Sequence, residues 1–599
     1  MKVNERIAEL RKRMKKNGID IYYVPNEDDH LSEEYTADYF KCKSYLSGFS
    51  GDYGCTIVTD KEAGLWTDGR YFTQAEDELK GTCVKLFRLR QAGVPSPIEY
   101  LLANTPNNGT LGFDGHVVST AVASMLKNAL QQKKAKTVTS LDLAGEVWGQ
   151  DRPAMPKDSI YVLPKKYTGE SASQRISKVR EKMKAAHADV LVLTQLEDPC
   201  WLFNIRGNDI ACTPIAYAFA LVTDKKAFYY IDKSKVSGII AKELKADGIT
   251  LRPYESLGSD LAKLKNKTVW ADLNTLNASL SAEIDKSNQI YNHASPVGMF
   301  RAVKNNKEIA NTKNAHIKDG VAMVKFLYWI KNHVGRIEMS EISAADKLYA
   351  LRAEQKDYIE PSFPTIAGYK GNAAMMHYSA SDKSNAKINA EGFLLVDSGG
   401  TYYDGTTDIT RTIALGKISD EDKMYFTKVL KGHLDLMMAK FLEGTTGCNL
   451  DILARGPMWN IDIDYQCGTG HGVGHVLSVH EGPQGIRWGV PPVSRPNTPL
   501  VPGMIVTDEP GVYLPHKLGI RTENELLVVK GKKNFYGQFL QFDVLTFVPI
   551  DLDAVDSRYL NKDEIDYLNA YHAEVYKKIS PFLNAKEKAW LKKATRKIA

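Results

Sequence analysis

A short pattern near the N-terminus recurs far downstream, and this recurrence constrains the fold of the 599-residue chain more than any other feature. Arg6-Ile7, Arg11, Met14 and Asp20 have counterparts at one constant offset in Arg175-Ile176, Arg180, Met183 and Asp189. In each copy, apolar residues at helical spacing lead into a β-rich run, Ile19-Asp20-Ile21-Tyr22-Tyr23-Val24 in the first and Asp189-Val190-Leu191-Val192-Leu193 in the second. Each run then reaches an acidic stretch, Glu27-Asp28-Asp29 and Glu197-Asp198. The shared helix–strand–acidic order predicts two related α/β domains in series. Between them, GQDRPAMPKDSIYVLPKKYTGES carries Pro153, Pro156 and Pro164, a density that predicts an extended linker. A second boundary falls between Ser295 and Asn306, ahead of a long helical pattern through Ala315, Val321, Met323 and Phe326. These signals divide the chain into segments 1–155, 156–304 and 305–599. In the last, strands alternate with helices, and a helix-rich tail follows a strand-like Leu545–Ile550.

Composition narrows the class. A chain this long needs several cores, and 43% hydrophobic with 25% charged residues is the balance of a globular protein. A net charge of +6 spread over this length gives no reason to invoke nucleic acid, and the basic stretch Lys586–Lys597, interleaved with Ala, Leu and Trp590, reads as the solvated face of a terminal helix. The seven cysteines are odd in number and none is in C-x-x-C spacing, which predicts reduced thiols in a cytoplasmic protein. The N-terminus has no apolar leader and no window approaches a membrane span, so a soluble protein is expected.

The chemistry is concentrated in the last segment. In LLVDSGGTYYDGTTDITRT, Leu394-Leu395-Val396 is a buried strand that ends on Asp397, and Asp408 opens the returning strand. Two carboxylates brought together across a hairpin repel one another unless a cation compensates them. Asp404, in a turn, reads as a backbone-capping residue. In CGTGHGVGHVLSVHEGP, glycines on both sides of His471 let the backbone approach a site closely and put that residue at a tight bend. His471 and His475 are four apart, but HGVGH lacks the glutamate of a zinc helix and contains helix-breaking glycines. In MIVTDEPGVYLPHKLGIRTENELLVV, Glu509 ends one apolar strand and Glu523 begins another, while Asp508 alternates to the opposite face and reads as structural. Four carboxylates and one imidazole suit two hard divalent ions such as manganese, and the charges nearly balance.

The order D-S-G-G…T-T-D-I-T-R-T, G-H-G-V-G, E-P-G and R-T-E-N resembles the creatinase/methionine-aminopeptidase, or pita-bread, metallopeptidases. Within them the chain resembles the long, three-domain form of aminopeptidase P. PNEDDHLSEEY, YLSGFSGDYG and LWTDGRYFTQA carry the likeness in the first segment, LEDPCWLFNIRGNDI in the second, and LTFVPIDLDAVD with YLNAYH in the tail. The resemblance implies an α/β (α+β) fold class, with two creatinase-N-like α/β domains followed by a pita-bread catalytic domain. It also implies that Asp397, Asp408, His471, Glu509 and Glu523 bind two divalent ions, that a water shared by them is the nucleophile, and that Glu509 is the general base. Under the same resemblance His377 and His480 contact substrate and stabilise the tetrahedral intermediate, and Tyr513 and Arg521 shape the pocket. A salt bridge to a nearby carboxylate is an equally good account of Arg521. The implied substrates are peptides with proline second, and a homodimer is expected. One departure stands out: Cys467 occupies a position where long-form relatives usually carry histidine, and His475 stands where many have a small residue. Two alternatives stay open, an X–Pro dipeptidase with the same five ligands and a non-catalytic binding protein on the same fold.

Overall fold

A computed structural model of the chain describes residues 1–32, 34–489 and 498–599; Glu33 of the PNEDDHLSEEY motif lies outside them. The chain divides into two compact units. One comprises Met1–Val162, Glu170–Ile210 and Ile215–Val297, the other Leu163–Gly169, Ala211–Pro214 and Gly298–Ala599.

The first unit contains the duplication. Helices α1 (Val3–Lys16) and α2 (Ala172–Ala185) are each 14 residues long. Strands β1 (Ile21–Val24), β2 (Cys55–Thr59), β3 (Ala63–Thr67), β4 (Val84–Arg88), β5 (Thr110–Gly112) and β6 (Lys136–Val138) form a sheet in the order β4-β3-β2-β1-β5-β6. Strands β7 (Val190–Leu193), β8 (Ala218–Thr223), β9 (Ala227–Ile231), β10 (Ile249–Arg252), β11 (Thr268–Trp270) and β12 (Gln289–Tyr291) form a second sheet in the order β10-β9-β8-β7-β11-β12. The recurring residues do the same work in both copies. Arg11 donates to the carbonyl of Thr59 at 2.8 Å and Arg180 to that of Thr223 at 2.9 Å, each tying its helix to the sheet. Arg6 lies over the ring of Tyr45 and Arg175 over that of Trp201, and each guanidinium also donates to the carbonyl of the residue it covers. Asp20 and Asp189 accept from the amides of Thr110 and Thr268, at the start of the strand that runs parallel to β1 or β7. Ile7, Met14, Ile176 and Met183 are buried. The acidic stretch of the first copy is structural: Asp28 accepts from the amides of His30 and Ser32 and from the hydroxyl of Tyr217 in the second copy.

In the second unit, helix α3 (Asn306–His333) starts at Asn305, whose side chain accepts from the amides of Lys307 and Glu308. Phe326, Leu327 and Ile330 on α3 pack against Leu394 and Val396 of a three-stranded sheet. That sheet has the order β13-β14-β17 and is built from β13 (Ile366–Tyr369), β14 (Phe393–Ser398) and β17 (Ile409–Ala414). The short strands β15 (Gly400–Tyr402) and β16 (Gly405–Thr406) lie between β14 and β17 as an excursion. A six-stranded sheet uses β18 (Lys440–Leu442), β19 (Gly470–Gly472), β20 (Glu481–Ile486), β21 (Ile505–Asp508), β24 (Asn524–Asn534) and β25 (Gly537–Val544), in the order β18-β25-β24-β21-β19-β20. Here the excursion is a hairpin of β22 (Gly511–Leu514) and β23 (Leu518–Arg521), between β21 and β24. Helix α4 (Asp420–Met437) contributes Phe426, Val429, Leu430 and Leu434 to the core.

Leu545–Ile550, expected as a strand, joins no ladder, although the Leu545 amide donates to the Glu525 carbonyl at 2.9 Å. Its carbonyls are taken by side chains instead: Arg411 donates to Val548 and Pro549, and the Tyr571 hydroxyl to Thr546 and Val548. Among the described residues no helix is long and apolar enough to cross a membrane, and no disulfide joins any of the seven cysteines.

Candidate active site

Each excursion brings two carboxylates to the point where the chain leaves a strand pair and returns to it. In β14/β17 the register pairs Asp397 with Thr410, so Asp408 sits just outside the ladder rather than directly opposite Asp397. In β21/β24 Asp508 pairs with Asn524, leaving Glu509 and Glu523 on the residues where the ladder opens. The two pairs are stitched together. Glu523 donates its amide to the Thr410 carbonyl at 3.1 Å, and the Thr410 hydroxyl donates back to Glu523 Oε2 at 2.7 Å. Arg411 and Thr412 reach the carbonyls of Glu523 and Arg521.

His471 lies in β19 at a β-bulge, between β20 and β21, rather than in a free bend. Glycine is required beside it, because a methyl group on Gly470 would overlap the carbonyl of Thr507. His471 Nδ1 donates to the carbonyl of Gly472 at 2.9 Å, which turns Nε2 toward the carboxylates, 3.4 Å from Asp408 and 3.6 Å from Glu509. Asp408, His471 and Glu523 each offer a ligand atom, and these atoms all lie within 4.8 Å of one another. Asp397 and Arg521 form an ion pair at 2.6 Å, with Arg521 also donating to Thr410 and to the hydroxyl of Tyr513.

The electrostatics show what such a cluster lacks. Burial, together with the charges of Asp397 and Glu525, holds Asp408 well above the usual carboxylate range. Burial and the charges of Asp408, Glu509 and Asp397 do the same to Glu523. Glu509 is pushed up to about 7 by burial, against the lowering effect of His471 and Arg521. Asp397 Oδ1 is buried, and among the described residues no hydrogen bond reaches it. One guanidinium is too little positive charge for four clustered carboxylates, and oxygen donors with one imidazole are the donor set of hard divalent ions. The residues therefore fit a pair of such cations.

His480 stands edge-on to His471, with ring centroids 4.2 Å apart. His377 is half-buried and follows Met376, whose carbonyl faces Arg521 at 3.4 Å. Cys467 is half-buried against the core, its carbonyl held by Arg455 at 3.0 Å. His475 is structural: its ring bridges the Thr312 hydroxyl and the Tyr167 carbonyl. Asp404 is a buried turn residue paired with Lys318 at 2.7 Å, and Asp508 faces away, 3.1 Å from His433. Sequence reasoning missed Glu525, whose carboxylate accepts from the amide of Asp408 at 2.7 Å. The signal was its place two residues beyond Glu523, on the same face of a buried strand.

Residues 6–144 and 151–308 each match a creatinase/prolidase N-terminal domain, 310–530 the metallopeptidase family M24, and 538–598 the C-terminal region of that family. Aminopeptidase P1 of Arabidopsis thaliana is 36% identical over 652 residues, covering 100% of both chains. Xaa-Pro aminopeptidase 1 of Dictyostelium discoideum is 35% identical, covering 98% of this chain and 96% of that one. The crystal structure of X-prolyl aminopeptidase from Caenorhabditis elegans, described as a cytosolic enzyme with a di-nuclear active site, matches with a TM-score of 0.95 at 34% identity over 100% of both chains. With this fold, this carboxylate–imidazole cluster and full-length likeness to those enzymes, the chain belongs to the aminopeptidase P family of M24 metallopeptidases.

Proposed function

We propose that the chain is a metal-dependent aminopeptidase that removes the first residue from peptides with proline in second position. Its cation pair, manganese by the hardness of the donors, would be held by Asp397, Asp408, His471, Glu509 and Glu523. The observation that carries this reading is the convergence of Asp408, His471 and Glu523 within 4.8 Å in a chain alike over its full length to Xaa-Pro aminopeptidases. Bound there, two divalent cations supply the charge that acidifies water and polarises the scissile carbonyl.

The protein's own residues supply the rest. Glu509, whose side chain keeps some access to solvent, would accept a proton from the attacking water and deliver it to the leaving prolyl nitrogen. The ring of His480, beside His471, and that of His377, next in sequence to Met376, would donate to the oxygen that gains charge in the tetrahedral intermediate. One such donor is worth about 3 kcal/mol. Arg521 and Tyr513 brace the wall of the pocket. An X–Pro bond has no amide N–H, so recognition cannot depend on that donor and falls to the acidic groups around the peptide's N-terminus. The trans isomer of the prolyl bond is the productive one.

We further infer a cytoplasmic homodimer. Reduced cysteines support the compartment, and the exposed ring pair of Trp459 and Trp488, with centroids 6.3 Å apart, supports a self-association surface on the catalytic unit. The test of function is hydrolysis of an X-Pro-Pro tripeptide and an X-Pro dipeptide by metal-stripped protein with and without manganese. Release of the first residue from the tripeptide only with manganese supports the reading. Dipeptide cleavage alone would make the protein a dipeptidase, and no cleavage of either would leave a binding protein.

A further inference from the structure

Behind the carboxylate cluster lies a buried pair to which the proposed reaction gives no role. Asp408 precedes β17 and its amide is not part of the sheet ladder. That amide donates instead to Glu525 Oε1, at 2.7 Å. The same oxygen stands 3.1 Å from Nε2 of His316, in the middle of α3. His316 Nδ1 lies 2.9 Å from the carbonyl of Thr312, one turn earlier. A carbonyl only accepts, so Nδ1 carries a hydrogen and the ring orientation is fixed by the helix backbone. The side chains of both Glu525 and His316 are sealed from solvent, at 0% and 2% exposure. On the other side of this region Asp319, on the same helix, is held by Arg352 and by the hydroxyl of Tyr402.

A buried acid and a buried imidazole are costly to desolvate, and apolar residues of the same volume would fill this space at least as stably. Their geometry gives a reason to keep them. Asp408, Glu509 and Glu523 all lie just outside their ladders, but the Glu509 and Glu523 amides donate to main-chain carbonyls, of Thr469 and Thr410, whereas the Asp408 amide is held by a side chain, that of Glu525.

Resting on the reading of Asp408 as a cation ligand, we propose that His316 and Glu525 are positioning residues of the metal centre: Glu525, braced by His316, fixes the main chain of Asp408 so that its carboxylate reaches the cations. Helix α3 thereby sets the geometry of the centre without touching a cation or the substrate. Partners of this kind that orient ligands typically contribute about 10- to 100-fold in metal affinity.

The test is calorimetric titration of metal-stripped full-length protein with manganese, alongside kcat at saturating manganese and the thermal midpoint of the stripped form. H316F removes the ring's polar atoms while retaining bulk, and H316Q keeps a side-chain N–H able to reach Glu525. The expected result is about 10- to 100-fold weaker manganese binding in H316F, partial recovery in H316Q, and recovery of much of kcat once manganese is saturating. Wild-type affinity in H316F, or equal losses in H316F and H316Q, overturns the proposal, since a packing role would not distinguish the two. If H316F does not fold, E525Q decides. It keeps the size and an acceptor oxygen but not the charge facing His316, so the proposal requires weaker binding there as well, and wild-type affinity in E525Q overturns it. Failure of the wild-type chain to bind manganese would instead overturn the proposed function, so the two failures are distinguishable.

Discussion

The strand pairs β14/β17 and β21/β24 share a plan: an antiparallel ladder, a small hairpin excursion, and an acidic residue on each side of the gap. They differ in what surrounds the acids. In the first pair Asp397 is clamped by Arg521 and Asp408 is held through its amide by Glu525, the Asp408 side chain being only 6% exposed. In the second, Glu523 is buried under the Thr410 hydroxyl, but the Glu509 side chain is 22% exposed. One plan thus yields two behaviours. Short, sealed aspartates suit fixed anchoring, and a longer glutamate with access to solvent suits proton exchange.

Substitutions on the two sides of this contrast should fail in different ways. Asp408→Ala should reduce tripeptide hydrolysis to background and lower the number of manganese ions retained per chain, as measured by metal analysis after gel filtration. Glu509→Gln should lower kcat by about 100- to 10,000-fold while retaining at least one ion per chain. If Glu509→Gln instead strips both ions and Asp408→Ala strips neither, the assignment of roles to the two pairs is reversed. Arg521 links the pairs through Asp397, Thr410 and Tyr513. Arg521→Lys loses that fork and should weaken manganese binding by about 10- to 100-fold in calorimetry.

A pH experiment sharpens the contrast without substitution. At low pH both folded and unfolded chains carry the Glu509 proton. Between the ordinary glutamate range and about 7, the folded chain holds a proton that the unfolded chain has released. The stability of metal-stripped protein should therefore fall as pH rises through that window and level off above it. Asp408 and Glu523, raised by the same burial, act in the same direction. The gap in thermal midpoint between manganese-loaded and stripped protein should widen from pH 5 to pH 8, and a gap that narrows would contradict this electrostatic account. The smallest effect is expected at Cys467, half-buried against the core. Cys467→His should change KM for X-Pro-Pro peptides by less than about tenfold, a difference of 1.4 kcal/mol or less, with kcat nearly unchanged.

Much of this was legible in the sequence where the signal is local. The duplication was visible because Arg6, Arg11 and Asp20 and their counterparts each make one contact that both copies need, to a ring and carbonyl, a strand end and the start of a parallel strand. Asp397, Asp408, Glu509 and Glu523 were visible because each ends or begins an apolar run. The exact pairing was not, because an excursion shifts Asp408 off the residue facing Asp397, and nothing in GGTYYDGTT announces that shift. Leu545–Ile550 read as a strand because its residues are apolar and β-prone. It joins no ladder, and Arg411 and Tyr571, far away in sequence, take the Val548 carbonyl instead. His316 carries no local signal at all, since a histidine inside a helix gains meaning only from the Glu525 that folding brings beside it.

The central claim is that two strand pairs of one plan jointly hold two cations. Its most direct measurement is the manganese stoichiometry of the stripped full-length chain by calorimetric titration, with X-Pro-Pro hydrolysis followed at each addition. The account predicts saturation at two ions per chain, with hydrolysis appearing as the sites fill. Saturation at one ion or none, or full hydrolysis in the presence of a chelator, would contradict it.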